Sequence, residues 1–286
     1  MNRVIALAVP GLTAAVLAYV LSPVAARLAI WLGAVDAPGA RKIHHRPTPR
    51  LGGLAVVLSC LAGLFLAPFL PHGHWLLSSQ LAFGIGLGLL PILAVSIADD
   101  MRGVGAWYKL IAHGIGAAIA VSLGVTLGDQ VHLFGATLDL GVLRIPLSML
   151  WIMGVTNAFN LIDGLDGLSA GLALIAAVAM AAVFALLGQT PMAAASLVLA
   201  GALIGFLPYN LYPARMFLGD TGATAIGFCL AGFSLKGGST LSAGFAALVP
   251  IFIMSLPIVD TLVSMLRRVI GRTQHGSDGL FTADSN

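Results

Sequence analysis

A chain of 286 residues that is 59% apolar and 9% charged does not have the composition of a soluble domain, which runs at about 45–50% apolar and about 25% charged. One core would not hide that much apolar surface and leave enough charge for the outside, whereas a bilayer solvates the outward faces of spanning helices. The net charge of +3 excludes little by its sum; its placement says more. Cys60 and Cys229 both lie in apolar runs, which argues against a disulfide framework and a cysteine-based metal site.

In chain order, apolar runs fall near 4–24, 52–70, 80–98, 108–127, 143–160, 168–187, 192–209, 221–235 and 242–266. Each approaches the roughly 20 residues that cross a bilayer. The predicted fold is all-α, a polytopic membrane protein with about nine transmembrane helices in one domain over 1–286. Met1–Leu21 has one Arg and then an apolar stretch without a cleavage site leading into a soluble region, so it reads as the first spanning helix.

Connectors after odd-numbered helices, with their flanks, hold Arg27, Arg41, Lys42, Arg46, Arg50, Arg102, Lys109, Arg215, Arg267, Arg268 and Arg272; the other face keeps Arg3, Arg144 and Lys236. Cytoplasmic loops carry the excess of cations, so the N-terminus is predicted outside, with loops near 33–51, 99–107, 157–168, 209–221 and 267–286 facing the cytoplasm. All 11 acidic residues are Asp, and only Asp129 and Asp139 fall on the outer face. A transporter more often sets its ionisable groups near the midplane. This pattern predicts chemistry at the membrane–cytoplasm boundary.

Four segments carry that chemistry. The run from Val35 to Gly53 packs Arg41, Lys42, His44 and Arg50 between Pro and Gly; it suits a phosphorylated ligand, or equally anionic lipid head groups. Asp99-Asp100 closes helix three at the negative end of its dipole, where a divalent metal or a basic neighbour such as Arg102 or Lys109 must compensate. Asn157 and Asn160 share one helical face just before Asp163-Gly164-Leu165-Asp166-Gly167, where glycines let backbone approach a ligand. Asp220, in the run from Asn210 to Gly222, begins the eighth helix; it is either that helix's cap or one of several oxygen ligands for a hard cation. The Leu218-Gly219-Asp220 step resembles intramembrane aspartyl proteases, but a partner Asp mid-helix is missing.

Together the segments Asp36–Gly53, Ala98–Lys109, Asn157–Gly167 and Pro213–Gly222 resemble the polyprenyl-phosphate N-acetylhexosamine-1-phosphate transferase family; Pro257–Asp260 followed by Arg267-Arg268 is a looser match. The resemblance implies an Mg²⁺-dependent enzyme, with Mn²⁺ able to stand in, at the bacterial cytoplasmic (inner) membrane. Its reaction would move N-acetylhexosamine-1-phosphate, GlcNAc-1-phosphate by default, from a UDP-sugar to undecaprenyl phosphate, releasing UMP. Arg41-Lys42-Ile43-His44 resembles the branch that starts O-antigen, common-antigen or teichoic-acid linkage synthesis; the peptidoglycan branch, which transfers phospho-MurNAc-pentapeptide, is the alternative.

By the same resemblance, Asp220 and Asn160 hold the metal, with Asp163 completing the site. Asp99 receives the lipid phosphate and Asp100 supports it. Phe217 stacks on uracil and Asp166 accepts its imide N–H. Asn157, Asn210, Lys109, Arg41, Lys42, His44 and Arg50 bind substrate. The implied partners are the UDP-sugar, undecaprenyl phosphate and membrane lipids, with no nucleic acid; the oligomeric state is left open. The family continues past a segment like Phe281–Asp284 into a His-x-His-His motif and further helices, which this 286-residue sequence does not include. Two readings of other classes compete: a polyprenyl-lipid flippase, which predicts midplane charges and no metal dependence, and a CDP-alcohol phosphotransferase, which gathers its acids in one block.

Overall fold

The structure, a computed structural model, describes residues 2–36, 47–66, 79–133 and 136–239, together with positions 259 and 263. These form eight α-helices: α1 (Asn2–Leu32), α2 (Gly52–Leu66), α3 (Ser79–Arg102), α4 (Ala106–Ser122), α5 (Arg144–Ile162), α6 (Leu168–Leu186), α7 (Thr190–Asn210) and α8 (Gly219–Ser239). They correspond to the first eight apolar runs. The ninth, over 242–266, and the loop over 267–286 lie outside the described residues, apart from the two isolated positions. Five helical stretches are long and apolar enough to cross a membrane, Ala8–Leu32, Gln80–Arg102, Gly141–Ile162, Leu168–Leu186 and Thr190–Asn210. The chain is a multi-pass membrane protein.

Two small β-pairs add to the helices: β1 (Val35–Asp36) with β2 (Thr48–Pro49), and β3 (Gln130–Leu133) with β4 (Ala136–Asp139), both antiparallel. The first helix also outruns its expected end at 24. It passes Pro23 and stops at Gly33, whose φ of +75° lets Ala34 N–H reach back to the Ala29 carbonyl at 2.8 Å. That closure is a Schellman-type stop.

Many interior positions are Ala or Gly, set among buried Phe and Leu, while large apolar side chains also line the outside. Ala14, Ala18, Ala173, Ala177 and Ala202 are fully buried, while Leu12, Leu150 and Ile175 are each more than half exposed. Helices packed in lipid gain little from burying Leu against Leu, so close backbone approach through Gly and Ala holds them instead. In the α1–α7 crossing, a Cβ on Gly201 would sit 1.9 Å from the Gly11 carbonyl oxygen, and one on Gly205 would sit 2.1 Å from that of Ala15. Gly88 meets Gly116 between α3 and α4, and Gly53 meets Gly222 between α2 and α8.

This packing brings the α1–α2, α3–α4, α5–α6 and α7–α8 connectors to one end of the bundle. Trp31, Trp107, Tyr108 and Tyr212, all strongly exposed, lie at that end, as expected for side chains at head-group level. The opposite end carries the β3–β4 hairpin. There Asp129 pairs with Arg144, and Asp139 Oδ1 accepts the Gly141 N–H at 3.0 Å. Both outer aspartates are thereby occupied locally.

Gly201→Ala should destabilise the protein by about 1–3 kcal/mol, because the backbone oxygen it meets cannot move aside without separating α1 from α7. Gly171→Ala, where nothing lies within 4 Å, should cost nothing. Thermal unfolding of the two variants in detergent checks this.

Candidate active site

The end of α3 places two carboxylates where the helix dipole disfavours them, and the fold resolves this by turning one of them onto the start of another helix. Asp100 Oδ1 accepts the Asp220 N–H at 2.9 Å; its Oδ2 accepts the Thr221 N–H at 3.0 Å and the Thr221 hydroxyl at 2.6 Å. The cap of α8 is therefore Asp100, 120 residues away in sequence, and not Asp220. Gly219 makes the approach feasible. Its φ is +73°, and a Cβ there would meet the Arg50 carbonyl oxygen at 2.0 Å and Asp100 Oδ2 at 2.8 Å. Arg50 Nε adds a longer contact to Asp100 Oδ1 at 4.0 Å.

With the cap supplied from α3, the Asp220 side chain is released to face the α3–α4 connector. Lys109, in the first turn of α4, donates to Asp99 Oδ2 at 2.7 Å and to Asp220 Oδ2 at 2.5 Å. The other oxygen of Asp99 accepts the Val104 N–H at 2.6 Å. Asp163 follows α5 directly, and burial, then the negative charges of Asp220 and Asp100, push its carboxyl up to about 7 from 3.8, partly opposed by Arg50. Asn160 Oδ1, one turn earlier, is buried with no hydrogen-bond partner among the described residues.

The remaining predicted residues are held by backbone. Asp166 Oδ2 accepts the Ala214 N–H at 3.0 Å, tying the α5–α6 connector to the α7–α8 connector. Asn210 is buried and donates to the Met216 carbonyl at 3.0 Å. Phe217 N–H donates to the Pro49 carbonyl at 2.8 Å, and its own carbonyl accepts the Gly52 N–H at 3.0 Å. The half-buried ring of Phe217 is thus carried on a backbone pinned to the first connector. Asn157 donates to the Met153 carbonyl at 2.7 Å. Arg41, Lys42 and His44 lie outside the described residues.

Sequence reasoning did not single out His113 or Thr221. His113 is buried one helical turn beyond Lys109 on the same face of α4, so the i, i+4 spacing was a usable signal. Thr221 announced itself only as the neighbour of Asp220.

Among the described residues no three His, Cys, Asp or Glu side chains converge as a ready-made ligand set. The donors present are carboxylate oxygens with excess negative charge, plus the unpartnered amide oxygen of Asn160. That chemistry fits a small hard cation that keeps several waters and takes further oxygens from a substrate phosphate.

Known proteins are similar to this chain in sequence. The family description glycosyl transferase family 4 matches residues 82–238, more than half of the chain. The chain belongs to that family. The match runs from α3 to the end of α8 and so contains Asp99, Asp100, Lys109, Asn157, Asn160, Asp163, Asp166, Asn210, Phe217 and Asp220; Arg50 and the first connector precede it. Among family 4 relatives, a probable undecaprenyl-phosphate N-acetylglucosaminyl 1-phosphate transferase of Bacillus subtilis is 35% identical over 273 residues, 95% of this chain and 74% of the relative. A decaprenyl-phosphate N-acetylglucosaminephosphotransferase of Mycolicibacterium smegmatis is 35% identical, covering 92% of this chain and 70% of its own. A phospho-N-acetylmuramoyl-pentapeptide-transferase of Heliobacterium modesticaldum is 39% identical, covering 68% and 63%.

Asp163 yields a pH prediction. Its folded pKa, about 7, lies above the ordinary 3.8, so the native state holds a proton that the unfolded chain releases. Its contribution to stability is complete below pH 3.8 and lost as the pH rises through about 7. In chelator-treated protein, an infrared carboxyl band assigned to Asp163 should titrate near pH 7, and Asp220→Asn should lower that midpoint by removing the stronger of the two repelling charges.

Proposed function

We propose that the chain transfers N-acetylhexosamine-1-phosphate, GlcNAc-1-phosphate first among the candidates, from a UDP-sugar to undecaprenyl phosphate, releasing UMP. The observation that carries this reading is the bonding of Lys109 to both Asp99 and Asp220, with Asp163 and Arg50 on connectors at the same end of a membrane bundle. It is joined to an alignment that spans 95% of the chain with a relative named for that reaction. The site is assigned to the cytoplasmic side of the bacterial inner membrane, since 11 of the 14 cations fall in or beside the connectors after odd-numbered apolar runs and positive loops stay inside.

Each side chain then has a task. Asp99, at the end of α3, positions the lipid phosphate, whose oxygen attacks the sugar-bearing phosphorus of the UDP-sugar. A new phosphoanhydride forms as the bond to UMP breaks, and UMP leaves with the bonding electrons. A phosphate dianion is an adequate nucleophile and needs mainly alignment. Asp220, with Asn160 and Asp163, would hold Mg²⁺, or Mn²⁺ in its place, which supplies neutralisation of charge on the diphosphate. Arg50, with Arg41, Lys42 and His44 of the first connector, draws anions toward the site. Phe217 offers a ring for uracil, and Asp166 an acceptor beside it. One phosphoanhydride replaces another, so the reaction is close to thermoneutral.

Phospho-MurNAc-pentapeptide transfer is the second reading, supported by 39% identity to a relative of that name, over 68% of this chain. Both readings share the phosphate chemistry and differ in the sugar pocket.

The test is UMP release in membranes supplied with undecaprenyl phosphate and a panel of UDP-sugars, with and without magnesium. UDP-GlcNAc should support turnover that chelation abolishes, and Asp220→Ala should reduce it at least about 100-fold, the scale of losing a charge-stabilising group. Magnesium-dependent turnover that survives Asp220→Ala would remove the metal assignment, and turnover confined to UDP-MurNAc-pentapeptide would select the second reading.

A further inference from the structure

Lys109 sits in a surprising place for a cation at a site that receives anions. Its ammonium is 2.7 Å from Asp99 and 2.5 Å from Asp220, and only 20% of the side chain is exposed. Arg50 differs: it is 37% exposed and 4.0 Å from the carboxylate it faces, which leaves its guanidinium open to an incoming phosphate. Lys109 is committed to carboxylates, and one of these is the residue assigned to hold the divalent cation.

The two commitments conflict. A Mg²⁺–oxygen bond is about 2.0–2.1 Å, so a dication on Asp220 Oδ2 would lie within a few ångströms of an ammonium hydrogen-bonded to that same atom. At such separations the repulsion of like charges is worth kilocalories even when partly screened. We infer that Lys109 competes with the divalent cation for Asp220: the ammonium is a built-in counter-ion that lowers the affinity of the carboxylates for a free cation. Once a diphosphate arrives, it offers the ammonium an alternative partner, and Asp220 is given over to the metal. Lys109 thereby acts as a positioning residue that couples cation binding to diphosphate binding. It disfavours a cation-loaded site without substrate.

This inference rests on the metal role proposed for Asp220, and the experiment separates the two. Mn²⁺ alone is titrated into the purified full chain in detergent without nucleotide, followed by electron paramagnetic resonance and by the rise in Tm. Lys109→Gln, which keeps a hydrogen-bond donor and loses the charge, should bind Mn²⁺ at least about tenfold more tightly than wild type. It should also gain more Tm from a fixed Mn²⁺ concentration. Lys109→Arg should match wild type, and Asp220→Asn should bind more weakly. Lys109→Met carries the same expectation if the Gln variant does not fold. Equal or weaker Mn²⁺ binding by the charge-loss variants, with Asp220→Asn still impaired, would overturn the inference alone. Mn²⁺ binding unaffected by Asp220→Asn, or absent throughout, would instead overturn the metal role on which it rests.

Discussion

The bond set on which this structure depends is the one that Asp100 makes across the bundle. A carboxylate at the C-terminal end of α3 accepts the first N–H groups of α8 and the Thr221 hydroxyl. A helix N-terminus leaves unpaired donors and a partial positive charge, and a buried carboxylate needs just such partners. Each end offsets part of the other's cost. The consequence reaches beyond stability, because a cap supplied from α3 leaves Asp220 free to turn its own carboxylate toward Lys109 and Asp99. Asp100 and Asp166 thus hold backbone, Asp99 holds backbone with one oxygen and Lys109 with the other, and Asp163 and Asp220 are left for other partners.

Around that clasp, packing by small residues decides what can meet. Gly53 lies against Gly222, and Gly52 under Phe217 and Phe206, so the start of α2 and the start of α8 touch almost backbone to backbone. The strand-like bonds of Phe217 to Pro49 and Gly52 exist only because no Cβ intervenes. The connector that carries Arg50 is in this way laid beside the one that carries Asp220. Loss of either glycine would displace a whole loop and not one side chain.

Much of this was legible beforehand. Apolar runs located the eight described helices, and the lopsided distribution of Asp and Lys/Arg marked the end of the bundle where the connectors meet. Other features left no local trace. A cap donated from a residue 120 positions away has no signature in the run before Asp220, which is why capping by Asp220 itself stood as one of its two readings. The raised proton affinity of Asp163 arises first from burial and then from the charges of Asp220 and Asp100, surroundings that only the tertiary fold supplies. Asp166 and Asn210 carry polar side chains suited to ligands, yet they also bond the backbone of Ala214 and Met216, and residue type alone does not distinguish the two uses. The continuation of α1 through Pro23 to Gly33 was hidden because a proline in an apolar run reads as a break.

The central claim, that Asp100 serves α8 through Thr221, is tested most directly by a double-mutant cycle. Unfolding free energies would be measured for wild type, Asp100→Asn, Thr221→Val and the double variant. The account predicts that the losses fall short of additivity, with a coupling of about 1 kcal/mol or more, as for residues in one buried hydrogen-bonded network. Losses that add to within about 0.5 kcal/mol would mean that the two side chains act independently and that α8 is held in place by something else.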